Sequence, residues 1–393
     1  MRHEPRIIAA APAHGRHFGM DWLRIAAFAV LIVYHAAMVF APWDWLVKAP
    51  RTYPALIPPM AFVTPWRLAL LFAVSGYASR ILLDRSAGIA AFLRSRAHRL
   101  LVPLAFGMVT LVPLEMWVRV RLNGYSGTLP HFWMQDYWRW GELMGVGFPS
   151  WEHLWFVAYL AAYTGVLAGI VATGRRADRI VALLSPSLRL LWLPLVPLIG
   201  IKLALLFVVP EQQGLLTDWA GHAEYFPLLV FGFVLAGHRA LWASVHRVAP
   251  EARVFALAAG LIVVSVEWNF PAEAMPPHGV MAIDRAARIV MAWSMTLALF
   301  AFADRHLDRD HRWRGTLARA VFPAYLLHHT ALVVAAWWFL PLGLHPLIAF
   351  LAILAASIGI CVLGYLAGSR IGWLGTLIGL PPIKQLSGAR ASR

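Results

Sequence analysis

Arg24 and His35 lie eleven positions apart in the first apolar run. At about 100° and 1.5 Å per residue they share nearly one helix face, about 16 Å apart along the axis. Such a stripe grips a polar or anionic head at the membrane boundary and sets an imidazole near the middle of the bilayer. A neutral imidazole there can take a proton from an attacking hydroxyl. Each residue alone has a plainer reading. Arg24 can serve only as an orientation anchor neutralised by Asp21, and His35 as a core histidine bonded to a neighbouring helix.

Other polar groups at membrane depth also need a partner or a task, because burying them there is costly. The second run holds Leu71-Phe72-Ala73-Val74-Ser75-Gly76-Tyr77, where Gly permits close helix approach and Ser can bond across helices or line a cavity. After it, a loop from Asp84 to Arg99 is expected to present Arg96 and Arg99. These are three apart, a spacing that lets two guanidinium groups clasp an anionic head group. His153-Leu154-Trp155-Phe156 opens a later run at the outer face, an edge fit for a hydroxylated acceptor or for interfacial anchoring. In Tyr325-Leu326-Leu327-His328-His329, His328 shares a face with Tyr325 and not with His329, so one histidine is expected to face the bundle. Lys202, Glu115 and Glu267 also fall in apolar runs, and a salt bridge among them is expected.

The elements that must hold these groups follow from composition. Of 393 residues, 60% are hydrophobic and 13% charged, which excludes a soluble domain with a polar exterior. Ten crossings of about 20 residues use about half the chain. The expected fold is all-α, a polytopic bundle of about ten transmembrane helices near 20–41, 65–83, 100–118, 152–173, 190–209, 224–242, 254–270, 284–303, 320–340 and 347–367. Residues 1–19 and 368–393 flank a membrane domain over 20–367. The Arg-rich start followed by a long apolar run reads as a retained anchor.

The 34 Lys+Arg give a net charge of +15, and all but nine fall in alternate segments beginning with the amino terminus. By the positive-inside rule both termini are cytoplasmic. The surplus then faces anionic membrane lipid, and no nucleic-acid partner is implied. The single cysteine, Cys361, excludes an internal disulfide or a thiolate metal cluster, and no metal is expected. Trp133, Tyr137, Trp138, Trp140 and Trp151 form an aromatic belt on an outer stretch.

As an ordered set, Arg24-x10-His35, Ser75-Gly76, Arg96-x-x-Arg99, His153-Leu154-Trp155-Phe156 and Tyr325-Leu326-Leu327-His328 resemble the acyltransferase 3 family, from about Phe18 to Tyr365. The likeness is nearest to its glucan-succinylating branch. One departure is Leu71, where the family often has an aromatic residue. The resemblance implies a multi-pass enzyme of the bacterial inner membrane. It would take an acetyl or succinyl group from cytoplasmic acyl-CoA, a co-substrate, with no bound cofactor, and place it on a hydroxyl of an outer-face glycan or lipid-linked sugar. It further implies His35 as the essential histidine, with Arg24, Arg96 and Arg99 serving the donor.

These residue types suit that chemistry. Cytoplasmic arginines can hold the donor's phosphates while its thioester reaches inward, and His35 can act as general base. Ser75 can bond the developing oxyanion or act as a covalent relay. His328 is a second base or an orienting group, and Tyr325, His153 and Trp155 are substrate contacts. The competing expectation is a transporter or flippase for a lipid-linked sugar or small anionic solute, since carriers also bury His, Lys and Glu. Carriers often carry paired repeats with broken helices, and no such pairing is evident.

Overall fold

The computed structural model describes residues 17–381 except 175–176, 207, 210–212 and 273. The expectations for Arg175, Arg176 and most of the two terminal segments lie outside the described residues. The chain is 77% helical, and among the described residues ten helical segments are long and apolar enough to cross a membrane. It is an all-α polytopic membrane protein, as composition requires. Helices suit this solvent because they satisfy every backbone hydrogen bond internally.

The first crossing is α1 (Phe18–Met38), the second α2 (Ile57–Asp84), and the third is α3 (Ile89–Thr110) running into α4 (Val112–Leu122). Seven further segments follow, ending in helices Arg314–Phe339 and Pro346–Arg370. Two expected boundaries move. Arg94, Arg96, His98 and Arg99 stand inside α3, which starts at Ile89 rather than near Leu100. A break at Gly237 and His238 ends the sixth crossing at Ala236, and one helix runs from Arg239 to Asn269. Its first half was not legible as membrane-spanning because it is amphipathic. Leu241, Val245, Val248 and Ala252, three or four apart, are its buried face.

Close approach of helices depends on small residues. A Cβ on Gly76 would overlap the carbonyl of Leu229, and one on Gly232 would overlap that of Ala73, so α2 and helix Trp219–Ala236 touch backbone to backbone. Gly19 likewise meets the Ala303 carbonyl. The main core gathers Phe28, Leu31, Leu70, Phe72, Tyr159 and Phe300 from four helices. Outside it, Val196, Leu261 and Leu363 are exposed, as lipid-facing side chains should be.

The segment after α1 folds back on it. Lys48 Nζ donates to the carbonyls of Met38, at 2.6 Å, and Ala41, while Ala49 N–H donates to Val39 O at 2.9 Å. A cation on the carbonyl end of a helix completes its unpaired acceptors and opposes its dipole. This return seats Trp45 over the last turn of α1, which contains His35. The expected aromatic stretch is split. Trp133, Trp138 and Trp140 are exposed, whereas Tyr137 is buried and donates to Met108 O at 2.7 Å. A short hairpin of β1 (Gly141–Leu143) and β2 (Val146–Phe148) closes it.

Candidate active site

The α1 stripe connects two different places. At the Arg24 end, a cavity of ≈ 280 Å³ is lined by Arg24, Ser75, Arg85, Arg96 and Arg99, with Phe28 and Tyr325 among the apolar walls. Among the described residues no carboxylate lines it. Arg24 Nη2 donates to Ala318 O at 2.7 Å, and its nearest acid, Asp21, is 3.9 Å away. The plainer reading, Asp21 as the partner of Arg24, is met only by this long pair, since the other oxygen of Asp21 takes a 2.5 Å bond from Arg314. The guanidinium of Arg96 is buried with Nε and Nη2 lacking any hydrogen-bond partner. Gathering four like charges round one cavity without an acid is costly, and a polyanionic ligand such as a phosphate group supplies the missing acceptors.

At the other end, His35, His153, His328 and His329 form one cluster. His35 Nδ1 and His328 Nε2 lie 3.0 Å apart, with the rings 5.2 Å between centroids and within 10° of parallel. His328 Nδ1 stands 2.7 Å from the backbone carbonyl of Tyr325, which can only accept. His328 therefore carries its proton on Nδ1, and its Nε2 accepts from His35 Nδ1–H. This leaves the lone pair of His35 on Nε2, free of any protein partner among the described residues. The hydrogen-bond chain thus fixes the tautomer of the base.

His35 sits three residues before the end of α1. Ring contacts join the two ends. Phe28 and Tyr325, which wall the cavity, lie 5.4 Å and 5.7 Å from His328.

Beside this pair stands Glu115, wholly buried on α4. Its Oε2 accepts from His329 Nδ1–H at 2.9 Å, its Oε1 accepts from Thr330, and His153 Nδ1 is 3.3 Å away. His153 donates from Nε2 to Leu326 O at 3.0 Å, and Tyr325 O–H donates to the backbone carbonyl of His153. Both His328 and His329 are buried, contrary to the expectation that only one faces the bundle. Helix Arg314–Phe339 has protein on several sides, so opposite faces meet α1 and α4. Donor atoms of Glu115, His153 and His329 lie within 4.8 Å of one another, a spacing a divalent ion could bridge. Here the carboxylate is already engaged by His329 and Thr330.

Several expectations need correction. Tyr34 O–H pairs with Thr64 at 3.0 Å, which sets the level of the His35 turn on α2. Ser75 is eleven residues further along α2, about 16 Å by helical rise. It belongs to the arginine cavity, so an oxyanion bond beside His35 is out of its reach. Trp155 is buried against Tyr159 and Phe72. His153 is buried too, because the short turn Glu152–Leu154 carries it inward to Glu115. Lys202, Glu115 and Glu267 do not pair together: Lys202 bonds Glu224, and Glu267 bonds Arg288. Sequence reasoning missed Glu115, His329 and Trp45 as neighbours of His35. The only signals were a carboxylate in an apolar run and a histidine doublet.

Comparison with known proteins identifies the family. Residues 17–366 match a family described as acyltransferase domain. Proteins named glucans biosynthesis protein C from Salmonella schwarzengrund and Salmonella typhi are 24% identical over 401 residues, covering 97% of this chain and 99% of theirs. One from Salmonella paratyphi B is 24% identical over 399 residues with the same coverage. No solved structure matches the chain.

Proposed function

The chain belongs to the acyltransferase domain family, and from that premise we propose that it moves an acetyl or succinyl group from cytoplasmic acyl-CoA to a hydroxyl of an extracytoplasmic glycan or lipid-linked sugar. The proposed site is the bacterial inner membrane, with both termini cytoplasmic. The observation that carries this reading is the pairing, along one face of α1, of an acid-free arginine cavity with an imidazole whose lone pair is left open.

Arg24, Arg96 and Arg99 hold the phosphates of the donor, with Ser75 beside them. The pantetheine arm passes Phe28 and Tyr325 and brings the thioester to His35. His35 Nε2 takes the proton of the acceptor hydroxyl as its oxygen attacks the thioester carbon. A C–O bond forms, the C–S bond breaks, and the departing thiolate takes up the proton. His328 holds His35 in the reactive tautomer, the role a carboxylate plays toward the histidine of a Ser-His-Asp triad. The relatives' printed name, glucans biosynthesis protein C, favours a glucan-type acceptor. Membership of an acyltransferase family sets aside the carrier alternative.

The test is transfer from labelled acetyl-CoA or succinyl-CoA by purified protein in proteoliposomes, comparing the natural chain with His35→Ala that inserts normally. A loss of about 10²-fold or more in transfer is expected. Undiminished transfer removes His35 from the mechanism.

A further inference from the structure

The reacting end of the molecule holds more than the base needs. His329 Nδ1 is committed to Glu115 at 2.9 Å, but its Nε2 has no hydrogen-bonding partner among the described residues. His329 as a whole is 3% exposed. It meets the ring of His35 edge to face, with centroids 5.4 Å apart and planes at 88°. Trp45 borders both, 5.3 Å from His35 and 5.0 Å from His329. Its indole is only partly buried. Two imidazole rings, each with a nitrogen that has no protein partner among the described residues, and one indole are therefore in mutual contact.

We propose that His329 is an acceptor-binding residue and that this corner selects a ring bearing two adjacent hydroxyls, the vicinal diol of a sugar, over an alcohol with one. The inference rests on the acyl transfer argued above and goes further by giving the acceptor a second point of attachment. One hydroxyl loses its proton to His35 Nε2. Its neighbour bonds His329 Nε2, which suits either protonation state of that ring because a hydroxyl both donates and accepts. The apolar C–H face of the sugar packs on Trp45. Glu115 acts through His329 as a positioning residue, since its carboxylate fixes which nitrogen faces the acceptor. A site built to bond a hydroxyl rejects a substrate lacking it, because its own polar atom is then stranded.

The experiment uses the full chain in proteoliposomes with labelled acetyl-CoA or succinyl-CoA, and compares trans-1,2-cyclohexanediol with cyclohexanol as acceptors. In the natural chain the diol should be favoured by about tenfold or more in kcat/KM, the worth of one hydrogen bond. In His329→Asn the side-chain amide can keep the bond to Glu115 while the distal acceptor is gone, and the preference should collapse towards unity. In His329→Gln, whose amide reaches the place of Nε2, part of the preference should return. Should His329→Asn fail to fold, Trp45→Ala serves instead, raising KM for the cyclic diol several-fold but not for ethylene glycol, which has no ring face. A natural chain indifferent to the second hydroxyl, a preference intact in His329→Asn, or an unchanged KM in Trp45→Ala overturns the proposal. Failure of the underlying reading looks different: no CoA is released with either acceptor, or His35→Ala transfers to both as well as the natural chain does.

Discussion

His35 Nδ1 lies 3.0 Å from His328 Nε2, and the two rings stack within 10° of parallel. The bond joins α1 to helix Arg314–Phe339 across 293 positions of sequence. One imidazole thereby sets the tautomer of another, and Tyr325 O sets the tautomer of the first.

The first prediction follows from that order. His328→Phe keeps much of the packing but removes the acceptor of His35 Nδ1–H. Transfer kcat should fall by about 10²–10⁴ with donor KM little changed, as when an orienting partner is lost elsewhere. Because the two residues act as a unit, the double variant with His35→Ala should be little worse than the poorer single one. Steady-state kinetics on all three variants checks this, and additive losses would count against the relay.

The donor cavity gives a different signature. Arg96 is buried with two nitrogens unpartnered, so Arg96→Ala should raise donor KM by about tenfold or more, roughly the worth of a charge-assisted hydrogen bond, and leave kcat comparatively unaffected. Arg96→Lys should recover only part, since an ammonium lacks the planar fork. A donor titration at fixed acceptor concentration separates the two parameters. A pure kcat defect would move Arg96 away from the donor.

Glu115 carries a structural cost as well as a positioning role. Replacing it with Ala strands His329 Nδ1 and Thr330 in a buried place, which should destabilise the protein by about 3–5 kcal/mol. Thermal unfolding in detergent should show a clearly lowered midpoint. Glu115→Gln, which keeps an acceptor oxygen, should lose less.

Lys48 makes stability depend on pH. Burial lowers its pKa from the usual 10.5 to about 8, only partly opposed by Asp44. Between about 8 and 10.5 the unfolded chain holds this proton and the folded chain has released it. Stability should therefore rise with pH across that window, reach its full contribution above 10.5, and be lost as pH falls through 8. Unfolding midpoints of the natural chain and Lys48→Met compared from pH 7.5 to 10 test the sign, and the variant's curve should be flatter.

A helix interface offers a last check. A Cβ at Gly232 would meet the Ala73 carbonyl, so Gly232→Leu must push helix Trp219–Ala236 off α2. Loss of the folded, monodisperse species on detergent gel filtration is expected, whereas Gly165→Leu, where a Cβ meets nothing within 4 Å, should behave like the natural chain.

Much of this was legible along the chain, for definite reasons. A bilayer core demands runs of about 20 apolar residues, so ten crossings could be read from hydropathy alone, and the Arg24 and His35 stripe follows from helical period within one element. Boundaries were less legible where apolar character is confined to one face, as in Arg239–Asn269, or where arginines continue a helix, as in α3. Ordered motifs pointed to the acyltransferase resemblance, and the match over residues 17–366 agrees with it.

What the sequence determined by itself is thus a membrane-spanning helical bundle carrying Arg24 and His35 on one face, because those properties depend on local composition and period. Only the tertiary structure decided which nitrogen of His35 is open, that Glu115 holds His329, and that Ser75 stands with the arginines. Those facts turn on partners such as His328, Glu115 and Arg96, brought together from distant helices, and no spacing within a single helix encodes which of its faces will meet which neighbour.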